Sequence, residues 1–237
     1  MKVNLRLLNT SAIMMSLSFE KYIVNTRKYS LIDNLIIETD KALTTVMGKP
    51  ETTDRLIPGS KLTEHELTIQ QRRQSVRLMR VNHAGEVSAQ ALYQGQALTA
   101  TLPNVRVAME QAALEENDHL VWCQQRLNYL GGHASVLNPV WYAGSFVLGA
   151  LAGKIGDKWS LGFVAETENQ VVQHLDEHLV EMSMQDEKSR AILEQMRIDE
   201  LHHGTVALDA GGAILPKPIK LVMGLMSKVM TKTSYWI

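Results

Sequence analysis

The sequence predicts an all-α protein built as a four-helix bundle, with an additional amphipathic helix near each end of the chain. Apolar residues recur at helical spacing along the 237 residues, and no segment shows the apolar–polar alternation typical of strands. Aromatic residues make up 5% of the chain and methionine occurs 12 times, a composition that favours helix packing over sheets. Hydrophobic residues at 45% and charged residues at 21% are typical of one soluble globular domain.

Glycine, proline and capping residues divide the chain into segments. Thr63 and Glu66 match a capping box, which predicts that the longest helix begins there. Pro103 suits the first turn of the next helix, and Gly131 and Gly132 should end it. The expected helical segments span residues 32–47, 63–100, 103–130, 140–152, 159–184, 186–210 and 216–232.

Residues 1–28 are expected to form a poorly ordered extension, and residues 29–237 the folded domain. The extension mixes Lys2 and Arg6 with apolar and serine residues, as a targeting segment would. It lacks a clean apolar stretch followed by a small-residue cleavage site, so an extension upstream of the folded domain is the preferred interpretation.

Charge and cysteine content exclude several functions. The formal net charge of -1 gives no global field that would recruit nucleic acid or an acidic substrate. Cys123 is the single cysteine, which excludes an internal disulfide and a zinc site built from cysteines.

Two Glu-x-x-His motifs carry the functional prediction. They are Glu116 with His119 and Glu200 with His203, and residues three apart on a helix share one face. Each motif is preceded on the previous helix by a further glutamate. Glu86 lies 30 positions before Glu116, and Glu168 lies 32 positions before Glu200. The chain therefore contains two similar helix pairs, each supplying one glutamate and then a Glu-x-x-His motif.

All six side chains lie in phase with apolar residues of their helices, and the Glu86 face is the least regular. Four carboxylates in an apolar seam are costly unless cations neutralise them, and two divalent metals would balance their charge. Glutamate and histidine together favour iron or manganese over zinc or copper. This ligand pattern is that of the ferritin-like di-metal carboxylate proteins.

Other interpretations of these residues are less favourable. A single Glu-x-x-His motif is usually a solvated helix face, but a chance coincidence of all six positions is far rarer. Glu166 lies about 200° around the helix from Glu168 and is rejected as a ligand. Glu115 and His202 fail the three-residue pairing and are also rejected. Asp118 and Asp199 are candidates for orienting the ligating histidines.

Two segments indicate contact with lipid. Residues 140–152 are strongly apolar but too short to span a bilayer. The 216–232 segment has lysines around one apolar side, a pattern that suits the surface of an anionic membrane. An ordinary core-facing helix is the alternative for each segment taken singly. That apolar side consists of Ile219, Val222, Met223, Met226 and Met230.

The chain resembles the demethoxyubiquinone hydroxylase family from about Tyr29 to its end. The specific signature is Arg-Val-Asn-His-Ala-Gly-Glu ending at Glu86, and both Glu-x-x-His motifs and the Glu168 helix also match. The resemblance implies that residues 29–237 are a ferritin-like di-iron monooxygenase domain. The metal ligands that it implies are the same six: Glu86, Glu116, His119, Glu168, Glu200 and His203.

The resemblance further implies two iron ions per subunit, and hydroxylation of the ring of a polyprenylated demethoxyubiquinol by O2 in ubiquinone biosynthesis. It implies a peripheral protein on the cytoplasmic side of the cell membrane, an electron donor of unknown identity, and possible association with other ubiquinone-biosynthesis proteins. Arg77 and His174 resemble family positions near the reductant and the metal site. The rival functions are an iron-oxidising or iron-storage protein and a non-catalytic helical lipid-binding protein.

Overall fold

The computed structural model describes residues 29–53 and 55–237, which contain seven helices and no strand. The extension of residues 1–28 lies outside the described part of the chain. The prediction of an all-α protein is confirmed. The helices are α1 (Leu31–Met47), α2 (Ile69–Thr99), α3 (Pro103–Tyr129), α4 (Asn138–Ile155), α5 (Asp157–Glu181), α6 (Glu187–Asp209) and α7 (Lys217–Ser234).

The four longest helices, α2, α3, α5 and α6, form the predicted ferritin-like bundle. Helix α2 packs against α3 and α5 packs against α6, each pair joined by a short connection as antiparallel neighbours usually are. Helix α4 connects the pairs and packs against α2 and α5, and α7 also contacts α2 and α5. Glycines allow α4 and α2 to approach closely, because a Cβ on Gly149 would collide with the carbonyl oxygen of Leu92.

The start of α2 differs from the prediction. The capping box is formed by Thr68 and Gln71, five residues after Thr63: the Gln71 amide donates to the Thr68 hydroxyl at 3.2 Å, and the Thr68 amide donates to the Gln71 side chain at 2.9 Å. Tertiary contacts hold the preceding residues out of the helix, since Glu64 binds Arg126 and Leu67 packs on the core. The sequence offers two capping boxes, and these contacts select the second.

Two apolar layers lie above and below the middle of the bundle. One layer contains Met79, Cys123, Leu175 and Met196, contributed by α2, α3, α5 and α6 in turn. The other contains Tyr93, Met109, Leu161 and Ala207 from the same four helices. The six predicted ligands lie between these layers in the sequence of each helix. The bundle therefore holds them inside its core rather than at one end.

Helix α4 begins two residues before the predicted apolar segment and ends three residues after it. Among the described residues, none of the helices combines the length and hydropathy needed to cross a bilayer.

Candidate metal centre

The structure brings the six predicted side chains together between α2, α3, α5 and α6. Five of them are buried, with Glu116 and His119 fully removed from solvent, and the side chain of His203 is 10% exposed. One potential ligand atom from each of four residues falls within 4.8 Å of the others, which is the geometry of a cation site. Those four are Glu86, Glu116, His119 and Glu200.

Glu116 and Glu200 lie between the two histidines and contact both. His119 Nδ1 is 3.1 Å from a carboxylate oxygen of each glutamate. His203 Nδ1 is 3.1 Å from Glu116 Oε1 and 3.3 Å from Glu200 Oε2. Glu86 lies on the His119 side, with its Oε2 3.6 Å from His119 Nδ1. Glu116 and Glu200 therefore lie in the middle of the group, within reach of both histidines.

A carboxylate holds the outer nitrogen of each histidine. Asp199 Oδ2 lies 2.9 Å from Nε2 of His119, as proposed for Asp199 from the sequence. Glu115 Oε2 lies 2.9 Å from Nε2 of His203, a role that the sequence analysis missed when it rejected Glu115 as a ligand. Each of these acids comes directly before the glutamate of a Glu-x-x-His motif, so the acidic residue in front of each motif was the available signal. Such outer carboxylates fix the ring orientation of metal-binding histidines.

Asp118, the other acid proposed to orient a histidine, binds Thr53 and Arg55 instead. Glu166 is likewise turned away from the centre and forms an ion pair of 2.6 Å with Lys220 of α7.

Glu168 completes the centre on the side of α5. Its carboxylate accepts a short hydrogen bond from the hydroxyl of Tyr93 on α2. On the opposite side, Oε2 of Glu86 is buried and accepts no hydrogen bond from the described residues. A buried carboxylate oxygen without a donor is unfavourable unless a cation binds it, so the residues present fit a metal.

The electrostatics of the six residues also favour cation binding. Burial raises the pKa of Glu86 and of Glu168 well above the usual range, and the charges of Glu116 and Glu200 add to the effect. Burial alone would lower the pKa of His119 and of His203, but the surrounding carboxylates outweigh it and raise both. Burial would raise the pKa of Asp199, but hydrogen bonds from His119, Arg55 and Gln195 lower it to about 2. The negative field that raises the pKa of both imidazoles also attracts divalent cations.

An apolar cavity of about 650 Å³ lies against the centre. Its walls come from α2, α4, α5 and α7, and three of the six predicted ligands reach it, namely Glu86, Glu168 and Glu200. The apolar side of the C-terminal helix lines it: Ile219, Val222, Met223, Met226 and Met230. The side of α7 that was expected to meet lipid therefore forms a wall of this cavity.

His174 and Arg77 lie apart from the six residues. His174 lines the cavity, its ring centroid is 3.8 Å from that of His178, and its buried Nε2 has no hydrogen-bond partner among the described residues. Burial lowers the pKa of His174 to about 4, so the ring is neutral at pH 7. The Arg77 guanidinium lies 4.2 Å from the ring centroid of Trp236 near the C-terminus.

Four long helices around a buried centre of four glutamates and two histidines define the class: a ferritin-like carboxylate protein suited to metal binding. The model of one family, described as "Ubiquinone biosynthesis protein COQ7", matches residues 73–234. The chain is 64% identical to a 3-demethoxyubiquinol 3-hydroxylase of Nitrosococcus oceani over 211 residues, which are 89% of this chain and 99% of that protein. Enzymes of the same name from Stutzerimonas stutzeri and Nitrosomonas eutropha are 57% and 55% identical, covering 89% and 87% of this chain and 98% and 99% of their own.

The chain therefore belongs to the COQ7 family of ubiquinone biosynthesis proteins, and the family predicted from the sequence is confirmed.

Proposed function

We propose that the protein is a di-iron monooxygenase that uses O2 to hydroxylate the ring of a polyprenylated demethoxyubiquinol. The observation that carries the proposal is the apolar cavity, because it places a water-poor space directly against three carboxylates of the candidate centre. The chain aligns with nearly the whole length of relatives named 3-demethoxyubiquinol 3-hydroxylase, and this supports the same reaction here.

In this proposal Glu86 and His119 would hold one iron, Glu168 and His203 would hold the second, and Glu116 and Glu200 would contribute to both sites. The shared contacts of the two central glutamates with both histidines support this division. When bound, a ferrous pair would supply two electrons to O2, so that one oxygen atom enters the C–H bond and the other leaves as water with two protons, and an external electron donor would restore the ferrous state. The mixed carboxylate and imidazole donors suit iron.

The chain's own residues would bind and orient the quinol. Apolar side chains of α4 and α7 bury the ring and the first part of the prenyl tail, which excludes water from the reacting position. The Nε2 of His174 is a buried polar atom in the cavity wall with no hydrogen-bond partner among the described residues, so it would hydrogen-bond a ring oxygen. The tail would leave beside residues 140–152, as expected from the sequence.

We also propose a peripheral position on the cytoplasmic side of the cell membrane. Large apolar side chains remain exposed on α4 and α7 outside the cavity, and exposed lysines follow them on α7. These side chains are Val147, Leu151, Ile155, Leu221, Leu225 and Val229. An apolar surface with nearby positive charge favours an anionic bilayer. The protein should sediment with vesicles containing an anionic lipid, and reversing the charges of Lys228 and Lys232 should weaken that binding.

Quinone analysis of cells that lack the protein tests the reaction. Demethoxyubiquinone should accumulate, and the wild-type chain should restore ubiquinone whereas Glu168→Ala should not. A normal ubiquinone content in the deletion strain would refute the proposal. That result would instead favour an iron-oxidising or iron-storage protein. Such a protein should bind many irons per subunit rather than about two.

A further inference from the structure

The segment between α1 and α2 lies across the outer side of the centre. We name residues 50–53 and 55–57 the strap; none of these residues is helical. The carbonyl oxygen of Glu51 accepts a hydrogen bond from Asn117 at 2.7 Å, the Thr53 amide donates to Asp118 at 2.8 Å, and Ile57 packs on the core. The strap is therefore attached to α3 beside the first Glu-x-x-His motif.

Arg55 of the strap joins the two helices that carry these motifs. Its Nε donates to Asp118 of α3 at 2.6 Å, and its Nη1 donates to Asp199 of α6 at 2.7 Å. The guanidinium also lies 4.8 Å from the ring centroid of Trp122. A planar guanidinium can hold two carboxylates in fixed directions, which a lysine cannot do. Arg55 therefore fixes the spacing of α3 and α6 at the residues directly before His119 and Glu200.

The contact with Asp199 transmits this effect to the centre. Oδ2 of Asp199 accepts from Arg55 at 2.7 Å and lies 2.9 Å from Nε2 of His119. The same oxygen thus links the arginine to the ring. Because the arginine restrains the carboxylate, the carboxylate restrains the direction of Nδ1 on the opposite side of that ring.

The other histidine has weaker support, because Arg55 acts on its outer partner Glu115 through charge alone and without an ion pair. Glu115, the outer partner of His203, is 36% exposed, and its additional hydrogen bond comes from the neutral amide of Gln111 on the same helix. Among the described residues, no lysine or arginine forms an ion pair with Glu115. The two halves of the centre share their ligand pattern but differ in the rigidity of the outer partner.

We propose that Arg55 is a positioning residue that makes the His119 half the tighter of two unequal metal sites. The inference rests on the proposed function, since it requires a two-metal centre. Outer partners of metal ligands typically contribute 10- to 100-fold in metal affinity. The site at Glu86 and His119 should therefore bind a metal first and release it last.

Anaerobic titration of the metal-free, full-length protein with Co(II), followed by calorimetry and by the absorption spectrum, tests this proposal. The wild type should show two binding events of unequal affinity, and His119→Ala should remove the tighter event. Arg55→Ala should weaken the tighter event by roughly 10- to 100-fold and leave the weaker one unchanged. Arg55→Lys keeps the charge without the fork and should give an intermediate loss.

Two control variants complete the experiment. Glu115→Ala should weaken only the event assigned to His203, and Arg197→Ala, which removes a surface arginine paired with Glu194 and Asp176, should change neither event. The proposal would be overturned if Arg55→Ala weakened both binding events equally. It would also be overturned if neither Arg55→Ala nor Arg55→Lys lowered the Co(II) affinity of the tighter event. A wild-type protein that binds no Co(II) stoichiometrically would instead refute the metal centre of the proposed function. Far-ultraviolet circular dichroism confirms that each variant keeps its helices, and Arg55→Lys carries the test if Arg55→Ala does not fold.

Discussion

The two sides of the candidate centre are built from opposite kinds of residue. On the side of α3 and α6, each histidine is held by a carboxylate, and Arg55 and Asp118 extend the charged layer outward. On the side of α2 and α5, Glu86 and Glu168 reach an apolar cavity of about 650 Å³. The six candidate ligands therefore lie between a polar support and an apolar cavity.

This difference assigns different tasks to the two sides. Charged outer partners fix ligand directions and so determine metal affinity. An apolar cavity binds a substrate and excludes water, and it determines how well a quinol ring is held. Substitutions on the polar side should thus change metal binding, and substitutions in the cavity should change the Michaelis constant. Only substitution of a candidate ligand between the two sides, here called a boundary ligand, should change both metal binding and the Michaelis constant.

Removing a boundary ligand should have the largest effect. Glu168→Ala should lower hydroxylation by more than about a hundredfold, because loss of a ligand costs more than loss of an outer partner. Helix content should remain, since α5 keeps its apolar contacts. Product analysis after incubation with a reduced demethoxyubiquinol measures the effect. Glu166→Ala is the matched control for iron content, because Glu166 binds Lys220 instead. Hydroxylation that persists in Glu168→Ala would show that the ligand assignment is wrong.

Removing an outer carboxylate should have the next largest effect, and one confined to metal binding. Asp199→Ala should lower iron affinity by roughly 10- to 100-fold, since His119 loses the partner of its Nε2. The Michaelis constant of the iron-loaded enzyme should stay the same. Competition with a chelator measures the affinity. A changed Michaelis constant at full iron occupancy would contradict the division of tasks between the two sides.

Filling the cavity should have a smaller effect of the opposite kind. Gly144 lines the cavity, and a Cβ placed there meets no atom within 4 Å, so Gly144→Phe starts a side chain at this wall without a backbone clash. The Michaelis constant for a short-chain quinol should rise about tenfold, equivalent to about 1.4 kcal/mol, with iron content unchanged. Val147→Phe on the exposed surface of the same helix is the control. An unchanged Michaelis constant in Gly144→Phe would exclude this cavity as the binding site.

The last effect concerns stability in acid and leaves metal binding and the Michaelis constant aside. Burial lowers the pKa of His174 to about 4, and burial with the charge of His174 lowers the pKa of His178 to about 2. Between pH 6.5 and 4 the unfolded chain binds protons at these positions that the folded chain does not, so stability falls as the pH falls. Each histidine contributes at most about 1.4 kcal/mol per pH unit. In urea unfolding, the free energy of unfolding should fall less between pH 7 and pH 5 in His178→Gln than in the wild type. An equal fall in both proteins would contradict the assignment of this pH dependence to the buried histidines.

The burial of the four glutamates could be predicted from sequence because they recur at helical spacing. The helical phase places Glu86, Glu116, Glu168 and Glu200 on inward faces, and the structure buries all four. The same phase separates Glu168 from Glu166, which is turned toward Lys220. Local periodicity is sufficient where a residue's role depends on the face of its own helix.

The missed features depend on contacts between distant residues. Arg55 binds partners 63 and 144 positions away, and no local pattern marks it. The choice between Thr63 and Thr68 as the start of α2 depends on Glu64 reaching Arg126. The apolar side of α7 was visible, but whether it faces lipid or a cavity depends on how α7 packs on the bundle. Tertiary packing therefore determines the partners of Arg55, the start of α2 and the surroundings of α7.

The central claim is that hydroxylation requires a two-metal centre, and measuring single-turnover hydroxylation at defined iron contents tests it most directly. Purified protein loaded with zero, one or two ferrous ions per chain is mixed with O2 and a short-chain demethoxyubiquinol, and the hydroxylated product per chain is measured. Product should form only in the fraction that carries two irons, and Glu168→Ala should form none at any loading. Equal product from chains with one iron, or product from iron-free protein, would contradict a two-metal centre held by these six residues.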